Sequence, residues 1–186
     1  MIRAFVAIAV PDAVLERCQE ISHHLREMKL EGRFLRAESI HLTLKFLGNV
    51  EPEVVPGVVE VLKTTAQETA PFDLQVEGVG VFPHLTRPRV VWFGVEQCEA
   101  LCGMQERMEK RFERLGFPQE KRRFHPHLTL ARIKSRKNLS ELVRYVQTSG
   151  PRERADPIRV RDIHLYQSVL KPQGAEYRKL QTAKLA

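Results

Sequence analysis

The tetrapeptide His-Leu-Thr-Leu occurs twice, at positions 41–44 and 127–130, each time within a stretch that alternates apolar and polar residues. Such alternation marks a strand with one buried face. Successive side chains of a strand point to opposite faces, so His41 and Thr43 share one face while Leu42 and Leu44 pack on the other. The same holds for His127 and Thr129 against Leu128 and Leu130. The fold must therefore hold two similar strands, each with a leucine face that other elements cover. The copies start 86 residues apart, and a helical pattern precedes each. Two similar lobes could set the copies face to face across a cleft.

The rest of the chain fits that demand. Residues 2–10 read as a buried strand. Residues 12–29 carry Val14, Leu15, Cys18, Ile21, Leu25 and Met28 at helical spacing, with Gly32 just past the end. Residues 40–47 read as a strand, and 52–66 as a helix with Pro52 and Pro56 near its start. Strands follow at 72–80 and 89–95, separated by the breaker-rich VFPHLTRP. The clearest helix spans 97–115 and is closed by Gly116. A strand at 127–133, a short helix at 139–147, and strands near 158–168 and 175–180 complete the chain. Short connections between several strands imply hairpins mixed with helical crossovers, so the fold class is α+β. No glycine-rich phosphate loop follows any strand, which disfavours folds that bind nucleotides that way.

With 186 residues the chain is long enough for one compact domain. The formal net charge of +7 favours a polyanionic partner without naming it. No segment approaches the length of a membrane-spanning helix. The apolar run at 4–10 is closed at once by Pro11 and Asp12, so it reads as a strand rather than a signal peptide. Cys18, Cys98 and Cys102 match no disulfide framework or zinc spacing, so buried free thiols and a reducing cytoplasm are expected. His125 and His127 lie two apart, but Pro126 intervenes and no neighbouring Asp, Glu or Cys completes a metal set. Neither a metal nor a cofactor is expected.

Two imidazoles and two hydroxyls suit one substrate class. In each copy the Cα atoms of His and Thr lie about 6.6 Å apart, two residues along a strand, so both side chains can reach one small tetrahedral anion. In-line displacement at a phosphodiester needs a base for the attacking oxygen and an acid for the leaving oxygen. Histidine, with an ordinary pKa of about 6.5, can serve as either. Threonine hydroxyls can donate to the non-bridging oxygens.

The strings IHLTLKFLG and FHPHLTLARI resemble the two-histidine (2H) phosphoesterase superfamily, and most closely its RNA 2′,3′-cyclic phosphodiesterases, also called 2′-5′ RNA ligases. The resemblance runs over nearly the whole chain. It includes RAFVAIAVP, GVGVFPHLTRPRVVWFGV and the closing LYQSVLKPQGAEY. It implies a bilobal domain over 1–186, with two pseudo-symmetric lobes whose antiparallel sheets line a central cleft and whose helices lie outside. It also implies hydrolysis of a terminal 2′,3′-cyclic phosphate to a 2′-phosphomonoester. His41 would then be the proton donor and His127 the proton acceptor, with Thr43 and Thr129 holding the phosphate.

The implied partner is RNA with a cyclic phosphate end, tRNA-derived ends included, acted on by a monomer. Alternatives are a 2′-5′ RNA ligase acting on tRNA halves, a non-catalytic RNA-binding module, and a phosphodiesterase for a small nucleotide or ADP-ribose cyclic phosphate. Basic residues near the motifs could touch RNA phosphates: Arg33, Arg36 and Lys45 by the first, and Lys121, Arg122, Arg123, Arg132 and Lys134 by the second. Arg132, Lys45 and Arg123 are the selected candidates. Strict alternation would put Arg132 on the leucine face unless the strand bends. It would also put Phe46 in the core, where Trp92 is expected as well.

Overall fold

The computed structural model describes residues 1–171 and 174–186. Pro172 and Gln173, within the closing string LKPQGAEY, lie outside the described residues. In chain order the elements are β1 (Ile2–Ile8), α1 (Asp12–Glu27), β2 (Gly32–Phe34), β3 (Leu42–Val50), α2 (Val55–Gln67), β4 (Phe72–Phe82) and β5 (Val90–Val95). There follow α3 (Glu99–Arg114), β6 (His127–Ile133), α4 (Leu139–Thr148), β7 (Arg154–Val160), β8 (Asp162–Lys171) and β9 (Gly174–Lys184). The helical stripes read from the sequence are the buried ones. Val14, Cys18 and Leu25 of α1 and Leu101, Met104, Met108 and Phe112 of α3 are fully buried. Cys98 and Cys102, expected to be buried, are only half-buried, because they lie where α3 begins at the surface.

The strands form one continuous antiparallel sheet in the order β7-β4-β5-β6-β3-β1-β8-β9, with β2 added along β6. The α+β architecture expected from the sequence is the one observed. The sheet has two halves of four strands, β7-β4-β5-β6 and β3-β1-β8-β9. They join where β3 meets β6, through one residue pair among the described residues, Leu42 with Leu128. An approximate two-fold relation at this seam matches β3 to β6 and β1 to β5, and the successions β1-α1-β3 and β5-α3-β6 repeat the same order.

The helices cross between halves. Helix α1 follows β1 yet packs on β6 and β7, and α3 follows β5 yet packs on α2 and β3. The apolar residues beneath the helices form one core drawn from both halves. No helix among the described residues is long and apolar enough to cross a membrane.

Two elements differ from the sequence reading. The strand expected at 158–168 is two strands. β7 pairs with β4 in one half and β8 with β1 in the other, and only Arg161 lies between them. Val160 and Asp162 are therefore within about 7 Å, and the sheet has to curl until its two ends approach at that corner. The short strand β2, unforeseen, lies against β6 with Gly32 opposite Ile133, Arg33 opposite Arg132, and Phe34 opposite Ala131.

Candidate active site

Both motif strands carry a bulge one residue after the threonine. In β3, Ala7 pairs with Thr43 and Val6 with Lys45, so Leu44 is the extra residue. In β6, Trp92 pairs with Thr129 and Val91 with Ala131, so Leu130 is the extra residue. A bulge re-aims everything beyond it. Lys45 and Ala131 turn inward, and Phe46 and Arg132 turn out onto the face of the histidines.

Three expectations change for this one reason. Phe46 is 61% exposed rather than core. Arg132 is exposed on the motif face rather than the leucine face. Lys45 is 3% exposed, which corrects its assignment as an RNA contact. Its Nζ donates to Glu109 Oε2 and to the Pro118 carbonyl, each at 2.6 Å. Glu109 also accepts from Gln105 Nε2 at 3.1 Å and from the Glu120 amide at 3.2 Å. This buried, hydrogen-bonded ion pair ties β3 and α3 to the loop that leads towards β6.

The register through Leu42 and Leu128 fixes the motif geometry. Both leucines point into the core. Their neighbours therefore share the opposite face, with His41 across from Thr129 and Thr43 across from His127. The four groups occupy the corners of a quadrilateral. The histidines take one diagonal and the threonines the other, about 7–8 Å apart by cross-strand geometry. All four are half-buried. The two copies thus meet where the two halves of the sheet join.

The histidines have different surroundings. The His41 ring stacks on Phe5 with centroids 4.7 Å apart and meets the edge of Tyr177 at 4.9 Å, with Tyr166 stacked 5.8 Å away. Burial among these rings pushes its pKa down to about 4. His127 meets Phe82 at 5.0 Å and lies near Trp92, which packs against His125. Its Nδ1 lies 2.7 Å from the His125 carbonyl, so Nδ1 carries the hydrogen and donates it. Burial lowers the His127 pKa, the carbonyl bond opposes the shift, and the charges of His125 and Arg132 add to it.

Trp92, expected in the core, is half-buried on the motif face. It lies there because Gly80 leaves room: a Cβ at Gly80 would come within 2.2 Å of the indole. Arg123 is exposed and donates to Gln97 Oε1 at 3.3 Å, while Gln97 donates to the Phe124 carbonyl at 2.7 Å. It therefore borders the loop that enters β6.

Sequence reasoning missed Phe5, Tyr166 and Tyr177 around His41, and Phe82 around His127. Phe5 stands in an unbroken apolar run that reads as core. The tyrosines are visible only in the family-like closing string. His164, read as structural or solvated, is buried, with Nε2 2.8 Å from Asp162 and Nδ1 3.0 Å from Thr182.

A sheet in two related halves with a His-x-Thr pair on each side of the seam defines a two-histidine phosphoesterase. The profile of the 2′-5′ RNA ligase superfamily matches residues 10–171, and the chain belongs to that superfamily. Over 99% of both chains it is 31% identical to the RNA 2′,3′-cyclic phosphodiesterase of Methanothermobacter thermautotrophicus. It is 36% identical to the protein of the same name from Archaeoglobus fulgidus, over 96% of this chain and 97% of that one. Among solved structures, TT0787 of Thermus thermophilus superposes with a TM-score of 0.80 at 28% identity, covering 98% of this chain and 97% of the other. Escherichia coli LigT complexed with 3′-AMP superposes with a TM-score of 0.77 at 27% identity, covering 100% of this chain and 98% of LigT.

Proposed function

We propose that the chain hydrolyses 2′,3′-cyclic phosphates at RNA ends to 2′-phosphomonoesters, with His41 as proton donor and His127 as proton acceptor. The observation that carries this reading is the quadrilateral with imidazoles on one diagonal and hydroxyls on the other. Acid and base must stand on opposite sides of phosphorus, and a diagonal supplies both. Thr43 and Thr129 donate to the non-bridging oxygens, whose charge persists through the transition state.

The His127 bond to the His125 carbonyl supports the acceptor role. With Nδ1–H committed, Nε2 holds the lone pair that takes a proton from water. The resulting hydroxide attacks phosphorus and the bond from phosphorus to the 3′ oxygen breaks. That oxygen takes its proton from His41, and the phosphate stays on the 2′ oxygen. His41 is neutral in the free protein near pH 7 because burial holds its pKa at about 4. A bound phosphodiester places an anion beside the ring, which favours imidazolium and draws the proton in with the substrate.

The substrate class is supported by the names of the relatives, RNA 2′,3′-cyclic phosphodiesterases, and by the complex of LigT with 3′-AMP. The proposal includes a cytoplasmic monomer acting as one bilobal domain over 1–186. The core shared by both halves and the three free cysteines support it. The test is product analysis on an oligonucleotide ending in a 2′,3′-cyclic phosphate, in excess chelator, with and without a 5′-hydroxyl partner. A 2′-phosphate product is expected. A lengthened product would favour the ligase reading. A 3′-phosphate, or activity lost on chelation and restored by zinc, would overturn the mechanism.

A further inference from the structure

Trp92 stands beside the second motif rather than in it. It pairs with Thr129 across the sheet and so shares the motif face, with its ring centroid 6.5 Å from that of His127. The ring is seated between two glycines. Gly80 pairs with Trp92 on the far side, and a Cβ there would come within 2.2 Å of the indole Cζ2 and 2.3 Å of Cη2. A Cβ at Gly94, opposite His127, would lie 3.3 Å from Cζ3. The indole N–H is shielded from water and has no hydrogen-bond partner among the described residues. A buried donor without a partner costs free energy that a phenylalanine would avoid, so what distinguishes the indole here is its reach.

That reach brings it to both neighbours of His127. The indole packs 5.2 Å from the Phe82 ring and 5.0 Å from the His125 ring. Phe82 in turn meets the His127 ring edge to face at 5.0 Å, and the His125 carbonyl accepts the Nδ1 hydrogen of His127 at 2.7 Å. In the other half the corresponding places are held by Ala7, opposite Thr43, and His164, opposite Ala7. No indole serves His41, so the seat belongs to His127 alone.

We propose that Trp92 is a positioning residue for His127: its indole, seated on Gly80, holds Phe82 and His125 where they keep the His127 ring in one tautomer and one orientation. The inference rests on the reading of His127 as proton acceptor. With the indole in place the lone pair stays on Nε2. Without it the segment around His125 loses its support, the carbonyl leaves Nδ1, and the ring is free to exchange tautomers and turn.

The experiment combines nitrogen NMR of histidine-labelled protein with kinetics on an oligonucleotide ending in a 2′,3′-cyclic phosphate. In the wild type, neutral His127 should carry its hydrogen on Nδ1 alone. In Trp92→Phe its two nitrogens should move towards the average of both tautomers. Its ring should also titrate at lower pH, because the carbonyl bond favours the charged form. Turnover should fall about tenfold through kcat with KM nearly unchanged, as expected when one hydrogen bond no longer orients the acceptor. Gly80→Ala, which lifts the indole from its seat and keeps every ring, should act in the same direction. The double variant should be no worse than either single one, since phenylalanine withdraws the ring atoms that the added methyl would meet. Melting temperatures report that each variant is folded.

A Trp92→Phe protein with wild-type kcat would overturn the proposal, and so would a fall in kcat with the His127 tautomer unchanged. Losses that multiply in the double variant would show that the two positions do not form one seat and would overturn it as well. A wild-type protein inert on the cyclic phosphate, whose His127 tautomer still responds to Trp92→Phe, would overturn the hydrolase reading and leave the seat standing.

Discussion

β3 and β6 carry the same tetrapeptide, the same bulge and the same inward leucines, yet each surrounds its histidine differently. On β3 the ring lies among Phe5, Tyr166 and Tyr177, and burial alone holds its pKa at about 4. On β6 a backbone carbonyl fixes the tautomer, and Arg132 adds a positive charge nearby. Beyond the bulge the halves diverge again, with Lys45 and Phe46 matched by Ala131 and Arg132. Identical motifs thus acquire distinct chemistry from their neighbours. Under the proposed mechanism the acceptor nitrogen on β6 is set before substrate arrives, whereas the His41 ring becomes an acid only beside an anion.

The sharpest way to break this comparison is to remove one histidine at a time. Either His41→Ala or His127→Ala should lower kcat on an RNA cyclic phosphate by about 10²–10⁴-fold. Turnover close to wild type in one of them would show that its half has no part in proton transfer.

The next effect is on stability and belongs to β3 alone. Lys45→Ala leaves Glu109 buried without its cation and should cost about 3–5 kcal/mol in denaturant unfolding. Lys45→Met combined with Glu109→Leu should recover most of that loss, because an apolar pair of similar volume needs no compensation. A single variant as stable as wild type would mean that the ion pair does not hold β3 to α3.

Smaller effects are expected from the hydroxyls. Thr43→Ala and Thr129→Ala should each lower kcat/KM by about tenfold, the loss of one hydrogen bond to a charged oxygen. A loss as large as that of the histidines would give the threonines more than a binding role.

The smallest effect is a displacement along the pH axis. The proposed mechanism needs His41 protonated and His127 neutral, which gives a bell-shaped profile. In the free protein both histidine pKa values lie below the ordinary value, so the bell for kcat/KM should sit on the acid side. Bound anion raises the His41 pKa, so the basic limb of kcat should lie at higher pH than that of kcat/KM. Coincident basic limbs would mean that substrate does not protonate His41.

Much of this was legible in the sequence, and the exceptions have physical causes. Alternation and helical spacing located α1, α3 and both motif strands, because these elements bury one face and write that face into the residue order. The bulges were not legible. Leu44 and Leu130 are ordinary strand residues, and nothing in KFLG or ARI marks the change of face that sends Lys45 inward and Phe46 and Arg132 outward. β2 is three residues long, too short to show a period. The break at Arg161 falls inside IRVRDIHLY, where the buried apolar positions change phase from Ile158 and Val160 to Ile163 and Leu165, a slip of one residue that reads equally as a bulge within a single strand. Phe5, Tyr166 and Tyr177 come together around His41 from three strands, and no local pattern records that meeting.

The exchange of helices across the seam has a mechanical consequence. One residue pair between β3 and β6 would by itself make a loose hinge, free to vary the distance between the two imidazoles. The crossing helices act as lashings: to pull the halves apart, α1 would have to peel from β6 and β7, and α3 from α2 and β3, exposing buried Leu25, Leu101 and Met104 to water. Spreading the histidines therefore requires unwrapping apolar surface that the seam itself does not contain. A minimal joint suffices at the site because its rigidity is supplied from behind, so the spacing of the two imidazoles is set when the chain folds rather than when the substrate arrives.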